Sequence, residues 1–269
     1  MNTIQITEIN FDNLTRLKRQ GTFSLILRDD QRCYKFMRNL NKNQKKHLAH
    51  KLKYFDRLDD NRFLIPEKII MDNDELIGYT MKYFDNSIDL YNKYTKSNSI
   101  DFSEFNHDLR KSSKALREFH KKGFVFLDMS FSNILKNEDG DIKLCDFDGT
   151  IYHENVELPI TSQILNDYLV DYKNKKIKVS PNTDRLSLLL SMYVALFKKE
   201  IVDVKEEEYD YLANRIRSLK LLKYYYKILL DKKREIPEIP YLDKILCDDQ
   251  NININYHIDD KKILIKCNR

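Results

Sequence analysis

The segment from Phe124 to Thr150 constrains the fold and chemistry of this chain more than any other part of its sequence. Asp128 is followed by Asn133 five positions later and by Asp146 after thirteen more, in loops between short apolar runs. Mg²⁺ prefers hard oxygen ligands and is usually held by one or two carboxylates together with phosphate oxygens. A further carboxylate can orient an attacking hydroxyl group. The spacing therefore indicates a magnesium–nucleotide site.

The composition indicates a folded protein and excludes several other classes. Hydrophobic residues make up 42% and charged residues 33% of the 269 positions, which supports a packed core and excludes wholesale disorder. This length fits one large domain or two lobes. The net charge of +5 is the small difference between 47 basic and 42 acidic residues. Such mixed charge is typical of a solvated surface, so we expect no nucleic-acid partner.

The cysteines and the apolar runs bear on the compartment. The four cysteines are widely spaced and form no CxxC pair, which argues against a disulfide scaffold or a zinc site and for a reducing, cytoplasmic environment. The first residues lack the basic and apolar regions of a signal peptide. The longest apolar stretch, Leu186–Phe197, is too short to span a bilayer and predicts a buried helix. We therefore expect no membrane association.

Strand patterns dominate the first 84 residues. Two β-type runs, Thr22–Leu27 and Arg32–Met37, are separated by a polar turn and predict a hairpin. The next segment, Asn41–Asp59, has apolar residues at steps of four, three and three, which predicts a helix. Two more strands are predicted over Phe63–Met71, where a proline indicates an edge or the start of a strand, and over Leu76–Phe84.

Helical patterns dominate the remainder. The apolar spacing predicts a helix over Phe105–Lys122 that Gly123 ends as a C-cap. Residues 151–181 show no regular pattern. From Thr183 onward the chain is predicted to be mostly helical, with one long amphipathic stretch over Tyr209–Leu230.

The motifs in these segments resemble those of the protein-kinase-like superfamily. A catalytic loop of that family reads H-R-D-L with an asparagine five residues after the aspartate, and the matching residues here are Phe126, Leu127, Asp128, Met129 and Asn133. The D-F-G motif appears as Asp146, Phe147 and Asp148, and the lysine of V-A-I-K as Lys35 after Cys33 and Tyr34. The start of a buried helix, whose aspartate holds the catalytic loop in that family, is matched by Thr183, Asp184 and Arg185. The resemblance runs from about Gly21 to Phe197.

The resemblance implies a two-lobed α+β fold. A small antiparallel sheet with one helix, residues 1–84, would cover the nucleotide, and a mostly helical lobe, residues 85–269, would carry the catalytic and metal-binding loops. The implied activity is transfer of the γ-phosphate of Mg·ATP to a hydroxyl acceptor, either a protein serine or threonine or a small molecule. ATP and Mg²⁺ are the implied cofactors.

The resemblance also implies roles for individual residues. Asp128 would orient the acceptor hydroxyl and accept its proton, and Lys35 would neutralise phosphate charge. Asn133 and Asp146 would hold the metal. The remaining nucleotide contacts implied are a phosphate-covering loop at Gly21, a gatekeeper at Met81, and the hinge backbone groups of Lys82 and Phe84.

Several residues depart from the kinase pattern. The helical glutamate that pairs with the lysine is missing; its position falls near Lys51, and Asp56 and Glu67 are the candidate acids. Leu127 replaces the arginine that would receive an activation-loop phosphate, and Ser130 replaces a lysine found in many Ser/Thr kinases. These differences favour atypical bacterial or viral kinases or small-molecule kinases, and they leave a nucleotide-binding pseudokinase as an alternative.

A competing interpretation comes from the same segment. Residues 146–150 match the D-x-D-G-T opening of haloacid-dehalogenase-type phosphatases, with Asp146 as nucleophile and Asp148 as general acid and base. That motif normally opens its domain, whereas 145 residues precede it here, and no evident strand–helix alternation follows it. A phosphatase would also have no use for Lys35 with Asn133. The kinase-like interpretation is therefore preferred.

Overall fold

The computed structural model describes residues 2–17, 24–38, 40–152, 157–159, 176–178, 180–231, 237–247, 252–259 and 262–268. The first part of the chain forms one six-stranded sheet, made of β1 (Asn2–Gln5), β2 (Thr15–Arg16), β3 (Ser24–Arg28), β4 (Arg32–Met37), β5 (Pro66–Asp72) and β6 (Glu75–Lys82). The spatial order is β1-β5-β6-β4-β3-β2, and all pairs are antiparallel except β1 with β5. The predicted hairpin is confirmed as β3 and β4, and the two later strands as β5 and β6.

The predicted helix between β4 and β5 is also confirmed. Helix α1 spans Lys42–Leu52 and packs against β5 and β6. A reciprocal capping pair, Asn41 and Gln44, satisfies backbone N–H groups at its start. Its buried face carries Leu48 and Leu52, so the apolar stripe of the sequence is what holds α1 on the sheet.

Helices make up much of the described structure after β6, which confirms the α+β class. The helices among the described residues are α2 (Phe102–Lys121), α3 (Pro181–Phe197), α4 (Glu206–Ala213) and α5 (Arg217–Leu230). Helix α2 is followed by Gly123 with a φ of +85°, the left-handed conformation expected of a C-cap glycine. Helix α3 is buried along most of its length, as its apolar sequence predicts.

Short strands connect these helices and carry the loops between them. They are β7 (Ser87–Asp89), β8 (Ser99–Asp101), β9 (Phe124–Val125), β10 (Ile134–Asn137), β11 (Ile142–Leu144) and β12 (Ile151–Tyr152). Strand β10 lies between β11 and β7, and β9 pairs with β12. The segment predicted to be irregular, residues 151–181, lies mostly outside the described residues, but within it β13 (Glu157–Pro159) pairs with β14 (Lys176–Lys178).

One predicted helix is divided in two. The stretch Tyr209–Leu230 does not form a single helix, because Ile216 adopts an extended backbone with φ −118° and ψ 107° between α4 and α5. The break allows the two helices to pack on each other. Tyr209 and Tyr226 then stack with ring centroids 4.0 Å apart.

The part of the chain predicted to be mostly helical, from Thr183 onward, also contains two strands that the prediction did not include. Strands β15 (Asn253–Asp259) and β16 (Lys262–Asn268) form an antiparallel hairpin, and β15 also pairs with β8. Burial alternates from Ile252, just before the first of these strands, through Ile254 and Tyr256 within it. This two-residue period is the signature of a strand with one covered face.

Among the described residues, no helix combines the length and the apolar character that a membrane span requires.

Candidate active site

A cavity of about 880 Å³ lies between the sheet and the loops of the helical part. Its wall includes most of the nucleotide-site residues predicted from the sequence, namely Lys35, Met81, Lys82, Phe84, Asn133 and Asp146. Gly21 lies outside the described residues. Residues that are more than a hundred positions apart in the sequence therefore meet around one space.

The loop that precedes Asp128 is held by the first turn of α3. Asp184 is buried and accepts hydrogen bonds from the backbone N–H groups of Phe126 (2.6 Å) and Leu127 (2.8 Å). Its Oδ2 also lies 2.8 Å from Nε2 of His120. Leu127 has a φ of +68°, which costs a residue with a side chain about 1 kcal/mol or more. The contacts of Asp184 offset that cost and fix the direction in which the chain reaches Asp128.

The loop brings Asp128 and Asn133 together. Nδ2 of Asn133 donates to the backbone oxygen of Asp128 (2.8 Å) and lies 3.2 Å from its Oδ2. The carboxylate of Asp128 is accessible to solvent but recessed among protein atoms. This partial desolvation raises the pKa of Asp128, repulsion by Asp146 adds to the rise, and the Asn133 contact opposes it. A carboxylate with a raised pKa is a stronger proton acceptor.

The position of Asp146 depends on the phenylalanine that follows it. Phe147 is buried, and its ring lies 5.1 to 6.2 Å from four other ring centroids, those of Phe55, Phe63, Phe119 and Phe126. Asp146 itself has a φ of +68°, so the chain turns sharply where it enters this aromatic cluster. With Phe147 anchored in the core, the carboxylate of Asp146 lines the cavity.

Lys35 lies on β4 with only 3% of its side chain exposed. Its Nζ is 2.6 Å from Oδ1 of Asp146 and 2.6 Å from Oδ2 of Asp148. Burial disfavours the charged ammonium group, but attraction by Asp148 and Asp146 outweighs burial and raises the pKa of Lys35. The lysine therefore remains a cation at the wall of the cavity.

With this geometry established, comparison with known proteins identifies the family. A family model for the protein kinase domain matches residues 23–253. The chain belongs to the protein kinase domain family. It is a kinase, a phosphotransferase, and the match extends beyond Phe197, where the motifs recognised in the sequence end. A search of curated proteins finds no match.

Membership of the kinase family leaves the phosphatase interpretation without support. The two aspartates of the D-x-D-G-T segment, Asp146 and Asp148, are both bonded to Lys35. Lys35 and Asn133, for which a phosphatase has no use, lie with Asp146 around the same cavity. The segment therefore belongs to the kinase site.

The kinase differs from the sequence-based expectation in the acid that pairs with its lysine. Glu67 lies beside Arg32, with Oε2 3.7 Å from Nε, and the side chain of Asp56 is outside the described residues. The acids that contact Lys35 are Asp146 and Asp148. Sequence reasoning missed Asp148 because the third position of this motif is normally glycine. Two features of the sequence could have indicated the contact with Lys35: an acid at the third position of the motif, and the lack of any acid in α1.

The residues present in the kinase site fit a magnesium ion. Asn133 and Asp146 line the cavity and offer one amide and one carboxylate group. No group of three or more His, Cys, Asp or Glu side chains suited to a metal ion occurs in the described part of the chain. Mg²⁺ does not require such a cage, because substrate phosphates and water usually complete its coordination.

Proposed function

We propose that this kinase transfers the γ-phosphate of Mg·ATP to the hydroxyl group of a protein serine or threonine. The observation that carries the proposal is the convergence of Lys35, Asn133 and Asp146 on one cavity, with Asp128 bonded to Asn133. The nucleotide would bind between an N-terminal lobe, residues 1–84, and a C-terminal lobe, residues 85–269. Since none of the cysteines forms a disulfide in the described structure, we place the protein in the reducing cytoplasm.

The adenine base would lie at the segment that follows β6. In this arrangement Met81 is the gatekeeper at the back of the cavity, and the backbone C=O of Lys82 and N–H of Phe84 face the base. Lys35 neutralises charge on the α- and β-phosphates, and the backbone around Gly21 covers them. All of these residues except Gly21 line the cavity.

Asn133 and Asp146 would hold Mg²⁺, which supplies positive charge that stabilises the phosphates during transfer. Asp128 orients the acceptor hydroxyl and accepts its proton as the hydroxyl oxygen bonds to the γ-phosphorus and the bond from phosphorus to the ADP oxygen breaks. The raised pKa of Asp128 suits this role.

A second candidate is a small-molecule kinase of the same fold. Ser130 stands where many Ser/Thr protein kinases have a lysine, and this observation favours a small hydroxylated acceptor. The pseudokinase alternative loses part of its basis, because the lysine that lacks a helical glutamate does contact two carboxylates.

The test is phosphate transfer from labelled ATP by the purified chain, offered whole-cell protein in one arm and a panel of small alcohols in the other. Asp128→Ala should lower kcat by roughly 10²–10⁴ while leaving ATP affinity almost unchanged. Glu138→Ala, an exposed acid beyond the catalytic loop, is the matched control and should leave kcat unchanged. Transfer to small alcohols alone would select the second candidate, and full activity in Asp128→Ala would contradict the proposed roles.

A further inference from the structure

Asp148 occupies the motif position at which the kinase pattern has glycine, and both its carboxylate and its backbone carbonyl have partners. Oδ2 lies 2.6 Å from Nζ of Lys35, and Oδ1 accepts a hydrogen bond from the hydroxyl of Tyr79 on β6. Its backbone C=O accepts a hydrogen bond from Nζ of Lys51, at 2.6 Å. Two strands and a helix therefore fix this one residue.

The helix that would normally supply the partner of the lysine carries the opposite charge. Helix α1 (Lys42–Leu52) contains no acid, and Lys51 stands near the position expected for a glutamate. A second cation facing Lys35 would repel it, but Lys51 instead donates to the carbonyl oxygen of Asp148. The helix therefore contacts the loop through Lys51 and the backbone of Asp148, while the acid that pairs with Lys35 lies on the loop and not on the helix.

The two aspartates that contact Lys35 differ in their orientation to the cavity. Asp146 lines the cavity and 37% of its side chain is exposed, whereas Asp148 is not among the lining residues and is 24% exposed. Asp146 is therefore placed to meet a metal ion. Asp148 contacts the buried ammonium of Lys35 from outside the cavity wall, and Tyr79 fixes its other oxygen.

We propose that Asp148, held by Tyr79 and Lys51, is the positioning residue that aims Lys35 at the nucleotide phosphates in place of a helical glutamate. The inference rests on the proposed function, since it requires that Lys35 meets phosphate. It assigns Asp148 to the lysine and not to the metal.

The decisive experiment moves the acid that pairs with Lys35 from the loop to helix α1. Asp148→Gly and Lys51→Glu are made singly and together, and ADP release and calorimetric ATP binding are measured. Each single change should lower kcat roughly 10- to 100-fold, because a displaced lysine no longer matches the phosphates, while the Kd for ATP changes less. The double variant places a carboxylate on α1 where it can pair with Lys35, so its kcat should exceed that of both single variants. Lys46→Glu, an exposed change on the same helix, is the matched control and should leave kcat unchanged.

Two outcomes would overturn the inference. One is a folded double variant whose kcat is no higher than that of the more active single variant. The other is an Asp148→Asn variant that needs roughly tenfold more Mg²⁺ for half-maximal activity, because such a shift would make Asp148 a metal ligand.

An unfolding experiment separates this inference from the proposed function. Lys35→Met, Asp148→Asn and the variant that combines them are unfolded in urea without nucleotide. Each single change should lower the midpoint, and the combined variant should lower it by less than the sum, because removing both charges leaves neither one unpaired. Additive shifts would refute the pairing. If the variants show this coupling but the wild-type chain releases no ADP, the pairing is supported and the proposed function is refuted.

Discussion

Asp128 works in surroundings that oppose its negative charge. Partial desolvation and the nearby carboxylate of Asp146 raise its pKa, and the contact with Asn133 only partly reverses the rise. The group therefore binds a proton at a higher pH than an ordinary aspartate does. At neutral pH the raised pKa makes Asp128 a better proton acceptor. As the pH falls, Asp128 becomes protonated, and so stops accepting protons, at a higher pH than an ordinary aspartate does.

The pH profile of transfer should show this directly. Below the folded-state pKa, Asp128 is protonated and cannot accept the hydroxyl proton, so log(kcat/KM) should fall with slope one as the pH drops. Because the pKa is raised, this acid limb should lie above 3.8, the ordinary value for the group. The profile is measured at saturating Mg²⁺, with circular dichroism to confirm that the chain stays folded. An acid limb at or below 3.8 would contradict the assignment.

At one point the strands β4 and β6 lie so close together that β6 has no room for a Cβ atom. Gly78 on β6 has no Cβ, and an added Cβ would lie 2.2 Å from the backbone oxygen of Lys35 on β4. A contact that short forces one of the strands to move. Because Lys35 lies on β4, Gly78 on the neighbouring strand helps to determine the position of the lysine.

Gly78→Ala should therefore affect both stability and nucleotide binding. We expect the free energy of unfolding to fall by about 1–3 kcal/mol, as in other overpacked sites, and the affinity for ATP to weaken. Gly140→Ala is the control: this glycine has a φ of +80° but no atom within 4 Å of an added Cβ. It should cost stability through backbone strain while leaving ATP affinity unchanged. Urea unfolding and calorimetry measure both, and equal ATP affinity in the two variants would contradict the argument.

Across the whole molecule, local patterns could be predicted from the sequence and distant pairings could not. Hydrophobic periodicity was sufficient to predict β3 to β6, α1 and α2. Motif spacing was sufficient to predict that Asp128, Asn133 and Asp146 lie near one another. The contact of Lys35 with Asp148 joins residues 113 positions apart, and neither residue type requires the other. The C-terminal hairpin is a different case, because its alternation of buried Ile252, Ile254 and Tyr256 with polar residues is a local signal that the prediction overlooked.

That hairpin should contribute to the core of the helical part. Ile254 on β15 is fully buried, so Ile254→Ala should lower the free energy of unfolding by about 2–5 kcal/mol. Leu264 on β16 is 44% exposed, and Leu264→Ala should cost less than about 1 kcal/mol. Urea unfolding of the two variants measures the difference. Equal losses would show that the hairpin does not pack as described.

The aromatic cluster around Phe147 also bears on which inhibitors this kinase will accept. A ligand that occupies the place of the Phe147 ring must first expel it, and the ring leaves contacts with four others. Aromatic pairs contribute about 0.5–1.5 kcal/mol each beyond the burial of the ring, so expulsion costs at least about 2 kcal/mol. Since about 1.4 kcal/mol corresponds to a tenfold change in affinity, such a ligand should lose more than about tenfold in binding. Compounds confined to the existing cavity carry no such penalty, and they are the better starting point for a tightly binding probe.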